Sequence, residues 1–170
     1  MIGDPGPAVD AEVIEMGLRF YVEAGVPDVQ VIVNSIGDRN CRPAYMATLK
    51  AYFGRHESEL PESELRRLET NPLRLLDSKD LGMAALVAAA PKIADSLCVA
   101  CQKHFAAVRA HLDAVGVPYR IEPTLVRGLD YYTRTAFEYY RRGADEVERR
   151  WGLHLKKANA SDAAKTPEAG

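Results

Sequence analysis

The spacing of apolar residues predicts a helix, a strand and a second helix in the first third of the chain. In residues 8–24, the apolar residues that recur at helical spacing are Val9, Val13, Met16 and Phe20. Residues 29–35 are rich in valine and begin with alternating apolar and polar positions, which is typical of a strand. Residues 43–56 again carry apolar residues every three or four positions, which predicts a second helix.

The rest of the chain predicts further helices and then two strands. The predicted helices cover residues 62–69, 80–90 and 102–115, and the predicted strands cover residues 119–122 and 133–140. This order is not a series of repeated strand–helix–strand units, so the predicted fold class is α+β. We expect residues 1–40 and 116–142 to form one core, with residues 41–115 as an inserted helical lobe. Residues 143–170 differ in composition and predict a divergent, disordered tail.

Composition narrows the class of protein. The 170 residues carry a net charge of −2, so overall charge gives no sign of a nucleic-acid-binding face. No run of about 18 apolar residues predicts a membrane helix, and the first residues do not resemble a secretory signal. Three cysteines are too few for a disulfide framework. A soluble, cytoplasmic protein with reduced thiols and no membrane partner is expected.

The most informative segment begins at residue 125 and reads Leu-Val-Arg-Gly-Leu-Asp-Tyr-Tyr-Thr-Arg-Thr. It lies between two predicted strands, where a buried sheet needs neither a charged side chain nor a glycine. Arg127 offers a fork of donors suited to phosphate or carboxylate, and Tyr131 and Tyr132 offer hydroxyl groups on stiff rings. Two alternatives are a surface arginine that pairs with Asp130 or Glu122, and tyrosines that pack in the core.

This segment resembles the histidine-specific signature of histidyl-tRNA synthetases. Residues 4–14 are similar to the segment that follows class II motif 2 in that family. Val-Asn-Ser-Ile-Gly at residues 33–37 resembles its next core strand and turn, and residues 70–79 resemble its insertion region. The resemblance covers residues 2–140 in the family's order.

The resemblance implies part of a class II synthetase antiparallel-sheet core with an inserted, mainly helical lobe. The implied activity joins histidine to tRNA-His through an adenylate, with ATP and Mg²⁺ as substrate and no tightly bound cofactor. Implied partners are histidine, ATP, tRNA-His and either a second copy of the chain or a complementing chain. No stretch resembles motifs 1, 2 or 3, so we expect the chain alone to be inactive. The alternative is a non-catalytic paralogue that acts as a regulatory or RNA-binding partner.

The resemblance also implies roles for single residues. Arg127 takes the place of the arginine that stabilises negative charge at the α-phosphate of ATP. The residues implied to bind histidine are Gly128, Leu129, Asp130, Tyr131 and Tyr132. If the two tyrosines lie in a strand, they point to opposite faces, and only one need contact the ligand.

Two further clusters have competing interpretations. The basic residues implied to contact tRNA are Arg66, Arg67, Arg74 and Lys79; the alternative is a solvated charged helix. Cys98 and Cys101 have the spacing of half a zinc site, for which His104 and His111 would supply the other ligands. The alanine-rich surroundings favour buried thiols instead, and no metal is predicted.

Overall fold

The computed structural model describes residues 3–127 and 131–141. The implied histidine-binding residues Gly128, Leu129 and Asp130 lie outside these ranges, as does the predicted tail. In the described part, the helices and strands are α1 (Pro7–Glu23), β1 (Val29–Gly37), α2 (Arg42–Gly54), α3 (Glu62–Thr70), α4 (Ala84–Ala89), α5 (Val99–Ala114), β2 (Tyr119–Ile121) and β3 (Arg134–Arg141). The α+β fold class is confirmed.

The three strands form one sheet with β1 in the centre. Val31 of β1 is in register with Tyr119 of β2 in a parallel pair and with Tyr139 of β3 in an antiparallel pair. The sheet is therefore mixed, whereas the resemblance implied an antiparallel one. The parallel pair arises because the chain crosses back through the helices before it enters β2.

Alternate residues of β1 serve two hydrophobic cores. Val31 and Val33 pack in the smaller core with Ile14 of α1 and Leu112 of α5. Ile32 and its neighbours on the opposite face pack in the larger core with residues from α2, α3 and the segment before Arg127. The helices between residues 41 and 96 thus share a core with the sheet, while α5 packs on the other face. The domain boundaries at residues 41 and 115 stay a prediction.

Helix α1 buries a different stripe from the one its apolar spacing suggested. Ala11 and Ile14 are buried, but Met16 and Phe20 are 60% and 65% exposed. The Tyr139 hydroxyl donates to the backbone oxygen of Ile14 at 2.8 Å. Tyr139 also lies so close to Gly17 that any larger residue would overlap its ring. Contact with β3 therefore decides which side of α1 faces inward.

Within residues 3–127 and 131–141, no single helix is both long and apolar enough to cross a bilayer. The stretches 81–96 and 99–114 meet the length and composition criteria together, but they are bent by 102°.

One buried carboxylate joins α3 to the following loop. Glu64 is 4% exposed, accepts a hydrogen bond from the Ser78 hydroxyl at 2.6 Å, and pairs with Arg67 at 3.2 Å. We expect Ser78→Ala to lower the free energy of unfolding by about 1–3 kcal/mol, because a buried acceptor loses a donor. The control Ser63→Ala alters an exposed serine of the same helix as Glu64 and should change the free energy of unfolding by less than about 0.5 kcal/mol. Urea denaturation measures both, and equal effects would contradict a stabilising role for Ser78.

Candidate active site

Arg127 is held at the edge of the larger core by contacts with β3. Its Nη2 donates to the backbone oxygen of Phe137 at 3.1 Å, and its Nη1 pairs with Glu138 at 2.5 Å. The side chain of Arg127 is 34% exposed, so the guanidinium is fixed but still accessible. The sequence interpretation proposed other acidic partners and did not propose Glu138.

Glu138 is itself positioned by a neighbouring tyrosine. The Tyr140 hydroxyl donates to Glu138 Oε2 at 2.5 Å. Burial, reinforced by this bond to the carboxylate, raises the pKa of Tyr140 well above its ordinary value. The phenol therefore remains a donor to Glu138, whose other oxygen pairs with Arg127. The chain Tyr140–Glu138–Arg127 orients a guanidinium that can meet an anionic ligand.

Tyr131 and Tyr132 are adjacent rings that stack on one another. Their centroids are 4.6 Å apart with an interplanar angle of 27°, and a hydrogen bond with Tyr132 raises the pKa of Tyr131. Tyr131 is 74% exposed, whereas Tyr132 packs against the larger core. Both tyrosines precede β3, which begins at Arg134, so the alternation of side chains along a strand does not apply to them.

Tyr132 also borders a polar cavity of about 520 Å³. Thr133 and Arg134, which follow the tyrosines, lie in the same wall. Other residues of the lining come from distant parts of the chain: Asp10, Asp38, Arg39, Arg42 and His104. Three arginines against two aspartates leave an excess of positive charge, which suits a carboxylate or phosphate group.

Two side chains from separate helices hold this cavity together. Arg42, in the first turn of α2, donates to the backbone oxygens of Ile36 at 3.0 Å and Tyr132 at 2.5 Å. It thereby ties the end of β1 to the loop that carries the tyrosines. His104 of α5, which is 8% exposed, contacts Asp10 at 2.9 Å and Arg134 at 3.4 Å.

Sequence reasoning did not identify Arg42 or His104 as members of this site. The available signal for Arg42 was its place directly after Asn-Cys and before a proline that begins a helix. The signal for His104 was only its helical spacing from Cys101, which was weighed as part of a zinc site and not adopted. Arg134 adopts a positive φ of 60°, and such strained backbone is concentrated at functional sites.

The predicted tRNA-contacting cluster surrounds a second cleft of about 520 Å³. Its lining includes Arg67, Arg74 and Lys79, whereas Arg66 is exposed and is not part of the lining. Three carboxylates line the same cleft, namely those of Glu64, Asp77 and Asp80. Acidic and basic side chains in the lining are therefore equal in number.

Comparison with known proteins identifies relatives of this chain. No protein-family model matches the sequence. A histidine–tRNA ligase of Halothermothrix orenii is 48% identical over 136 residues, which make up 80% of this chain and 32% of the ligase. Over this length the chain is homologous to histidine–tRNA ligases. A contiguous match of this length within 170 residues must include residues 35–136, and with them Arg127 and Tyr132.

Other members of the histidine–tRNA ligase family agree with this assignment. The ligase of Koribacter versatilis is 45% identical over 170 residues, or 99% of this chain, so its similarity extends past residue 143. The apo structure of Staphylococcus aureus histidyl-tRNA synthetase has a TM-score of 0.62 and 36% identity, and the match covers 81% of this chain. The chain spans about a third of the length of these relatives.

Proposed function

We propose that this chain supplies part of the catalytic domain of a histidine–tRNA ligase. The reaction would be ATP-dependent activation of histidine followed by transfer to tRNA-His. The observation that carries the proposal is the match to a histidine–tRNA ligase across residues 35–136, in which Arg127 and Tyr132 are included. The held position of Arg127 supports it from the structure.

Arg127 would stabilise charge during activation. When the carboxylate of histidine attacks the α-phosphate of ATP, negative charge grows on the phosphate oxygens. A guanidinium that Glu138 and Phe137 already orient needs little reorganisation when that charge develops. Mg²⁺ would accompany ATP as part of the substrate, with no tightly bound cofactor required.

Tyr131 and Tyr132 would bind the histidine side chain. A neutral imidazole presents one donor and one acceptor, and a tyrosine hydroxyl can match either of them. Tyr132 is the better placed of the two, because it is anchored by the core and borders the cavity that Arg42 and Arg134 line. Tyr131 supports the ring of Tyr132 by stacking.

We expect the purified chain alone to form no histidyl-adenylate, because it matches only about a third of its relatives' length. Positioning of both substrates supplies most of the rate in phosphoryl-type chemistry, and a partial site positions them poorly. ATP–pyrophosphate exchange in the presence of histidine measures this, with the Halothermothrix orenii ligase as the active control. Histidine-dependent exchange above background would show that the chain is a complete enzyme.

The alternative of an RNA-binding partner makes a different prediction. Because the cleft that Arg67, Arg74 and Lys79 line also holds three carboxylates, we expect weak RNA binding at physiological salt. Fluorescence anisotropy with a tRNA acceptor-stem hairpin, at two salt concentrations, measures affinity and its salt dependence. Tight binding that Arg74→Ala and Lys79→Ala abolish, while Arg66→Ala does not, would favour the RNA-binding alternative.

A further inference from the structure

Two pairs of side chains with the same spacing meet beside the cavity. Asp38 and Cys41 lie in the turn between β1 and α2, while Cys98 and Cys101 lie at the start of α5. One carboxylate oxygen and the three sulfur atoms are all within 4.8 Å of one another. Each pair is separated by two residues, which is the spacing common in structural zinc sites.

The distances within this group suit one tetrahedral ion. A zinc–sulfur bond of about 2.3 Å and a zinc–oxygen bond of about 2.0 Å place two tetrahedral sulfurs about 3.8 Å apart, and sulfur and oxygen about 3.5 Å apart. The Cys41 Sγ–Cys101 Sγ distance is 3.8 Å, and the Cys41 Sγ–Asp38 Oδ1 distance is 3.5 Å. Cys98 Sγ lies 4.0 Å from the same oxygen. The sulfurs are too far apart for a disulfide, whose bond is about 2.05 Å.

Two helix N-termini and a tight turn surround the group. Cys41 is the N-cap residue of α2 and Cys98 is the N-cap residue of α5, so two helix N-termini meet at the cluster. The backbone N–H of Asp38 also donates to Cys41 Sγ at 3.4 Å. Gly37, with a φ of 65°, lets the turn fold closely over that sulfur, since an added Cβ would lie 2.8 Å from it.

We propose that Asp38, Cys41, Cys98 and Cys101 bind one Zn²⁺ ion. Four protein ligands close the coordination shell, which is typical of a structural rather than a catalytic zinc site. Asp38, Cys41 and Cys101 are buried, while Cys98 is only partly buried and gives the ion a path from solvent.

The ligand set differs from the one the sequence suggested. His104 is engaged by Asp10 and Arg134, and His111 is exposed beside α1, so neither histidine belongs to the cluster. Asp38 and Cys41 take their places. The prediction of no metal rested on a cysteine pair considered without these two residues.

Zinc at this point would clamp the polar cavity. The ion would connect the start of α2 to the start of α5. Its ligand Cys41 directly precedes Arg42, which donates a hydrogen bond to the backbone oxygen of Tyr132. Asp38 itself lines the cavity. Metal removal should therefore loosen the wall that carries the tyrosines as well as lower the stability of the chain.

Cobalt(II) titration of the full chain tests the site without any catalytic assay. The protein is purified in reductant, stripped with a chelator and checked for folding by circular dichroism. We expect one equivalent of Co²⁺ to give the intense visible bands of tetrahedral coordination and a thiolate charge-transfer band. Zn²⁺ should remove both by competition, and native mass spectrometry should then show one zinc per chain. A folded, fully reduced chain that binds neither ion would overturn the proposal.

Matched variants identify the ligands. We expect Cys101→Ser to weaken Co²⁺ binding at least about 100-fold, because loss of an atom bound to the ion costs more than loss of a group that only orients a ligand, which changes affinity about 10–100-fold. Asp38→Cys completes a four-thiolate site, so it should keep one equivalent and strengthen the charge-transfer band. Asp95→Asn removes an exposed carboxylate near the start of α5 and should leave both the Co²⁺ affinity and the visible spectrum unchanged. Unaltered spectra in folded Cys101→Ser and Asp38→Cys proteins would show that the ion binds elsewhere.

Discussion

Alanine at position 127 is expected to lower histidine activation by about 10²–10³-fold when this segment works within a complete ligase. The assay uses a chimera in which the 136 matched residues of this chain replace the corresponding segment of the Halothermothrix orenii ligase, which 48% identity makes compatible. The loss follows from removal of a preoriented donor, held by Phe137 and Glu138, from the developing charge on phosphate. ATP–pyrophosphate exchange measures the rate, and an inactive wild-type chimera would count against the proposed function.

Three further chimeras separate catalysis from structure. Arg66→Ala removes an exposed arginine and should leave exchange unchanged. Arg127→Lys keeps the charge but not the fork, so an intermediate loss is expected. Arg127→Ala also leaves Glu138 without its cationic partner, and the double variant with Glu138→Gln removes the negative charge of Glu138. If the double variant restores exchange, the role of Arg127 is structural; we expect the double variant to keep the full loss of Arg127→Ala.

Phe53→Ala is expected to lower the free energy of unfolding of the chain by about 3–5 kcal/mol. Phe53 is fully buried on the inner side of α2, so truncation leaves a cavity in the larger core. The matched control is Phe20→Ala, since Phe20 is 65% exposed on α1 and should change the value by less than about 0.5 kcal/mol. Urea denaturation followed by circular dichroism compares the two.

A loss of this size is a large fraction of the stability of a single domain, so a milder change is included. Phe53→Leu keeps most of the volume and should cost less than about 1.5 kcal/mol, which leaves a measurable transition. The expected order of stability is Phe20→Ala, then Phe53→Leu, then Phe53→Ala. A core in which Phe53→Ala is as stable as Phe20→Ala would contradict the packing of α2 against the sheet.

Local periodicity predicted where the helices and strands lie. In β1 it placed Val31 and Val33 on one face, which packs in the smaller core, but it did not indicate that the opposite face is buried too. Periodicity was wrong for α1, because apolar residues occupy more than one stripe of that helix. The choice between stripes depends on Tyr139, which packs on Gly17 from a strand more than a hundred residues later.

Site prediction was limited by the same dependence on distant contacts. Arg127 stood out because its neighbours form a continuous signature, but its partner Glu138 emerges only when β3 is placed in register with β1. The cysteine pair at residues 98 and 101 gave half of a site. Its other half, Asp38 and Cys41, has the same spacing, and only the fold shows that the two pairs meet.

The central place of β1 has a consequence for synthesis of the chain. Val31 leaves the ribosome well before its partners Tyr119 and Tyr139 are translated. During that interval both edges of an apolar strand lack their native neighbours, and such edges readily pair with other chains. Pairing between strands that are far apart in sequence is also slow in solution, because the chain loses the entropy of loop closure before the strand contacts form. The nascent chain therefore depends on early condensation of its helices, or on a chaperone, to keep β1 available for partners that arrive last.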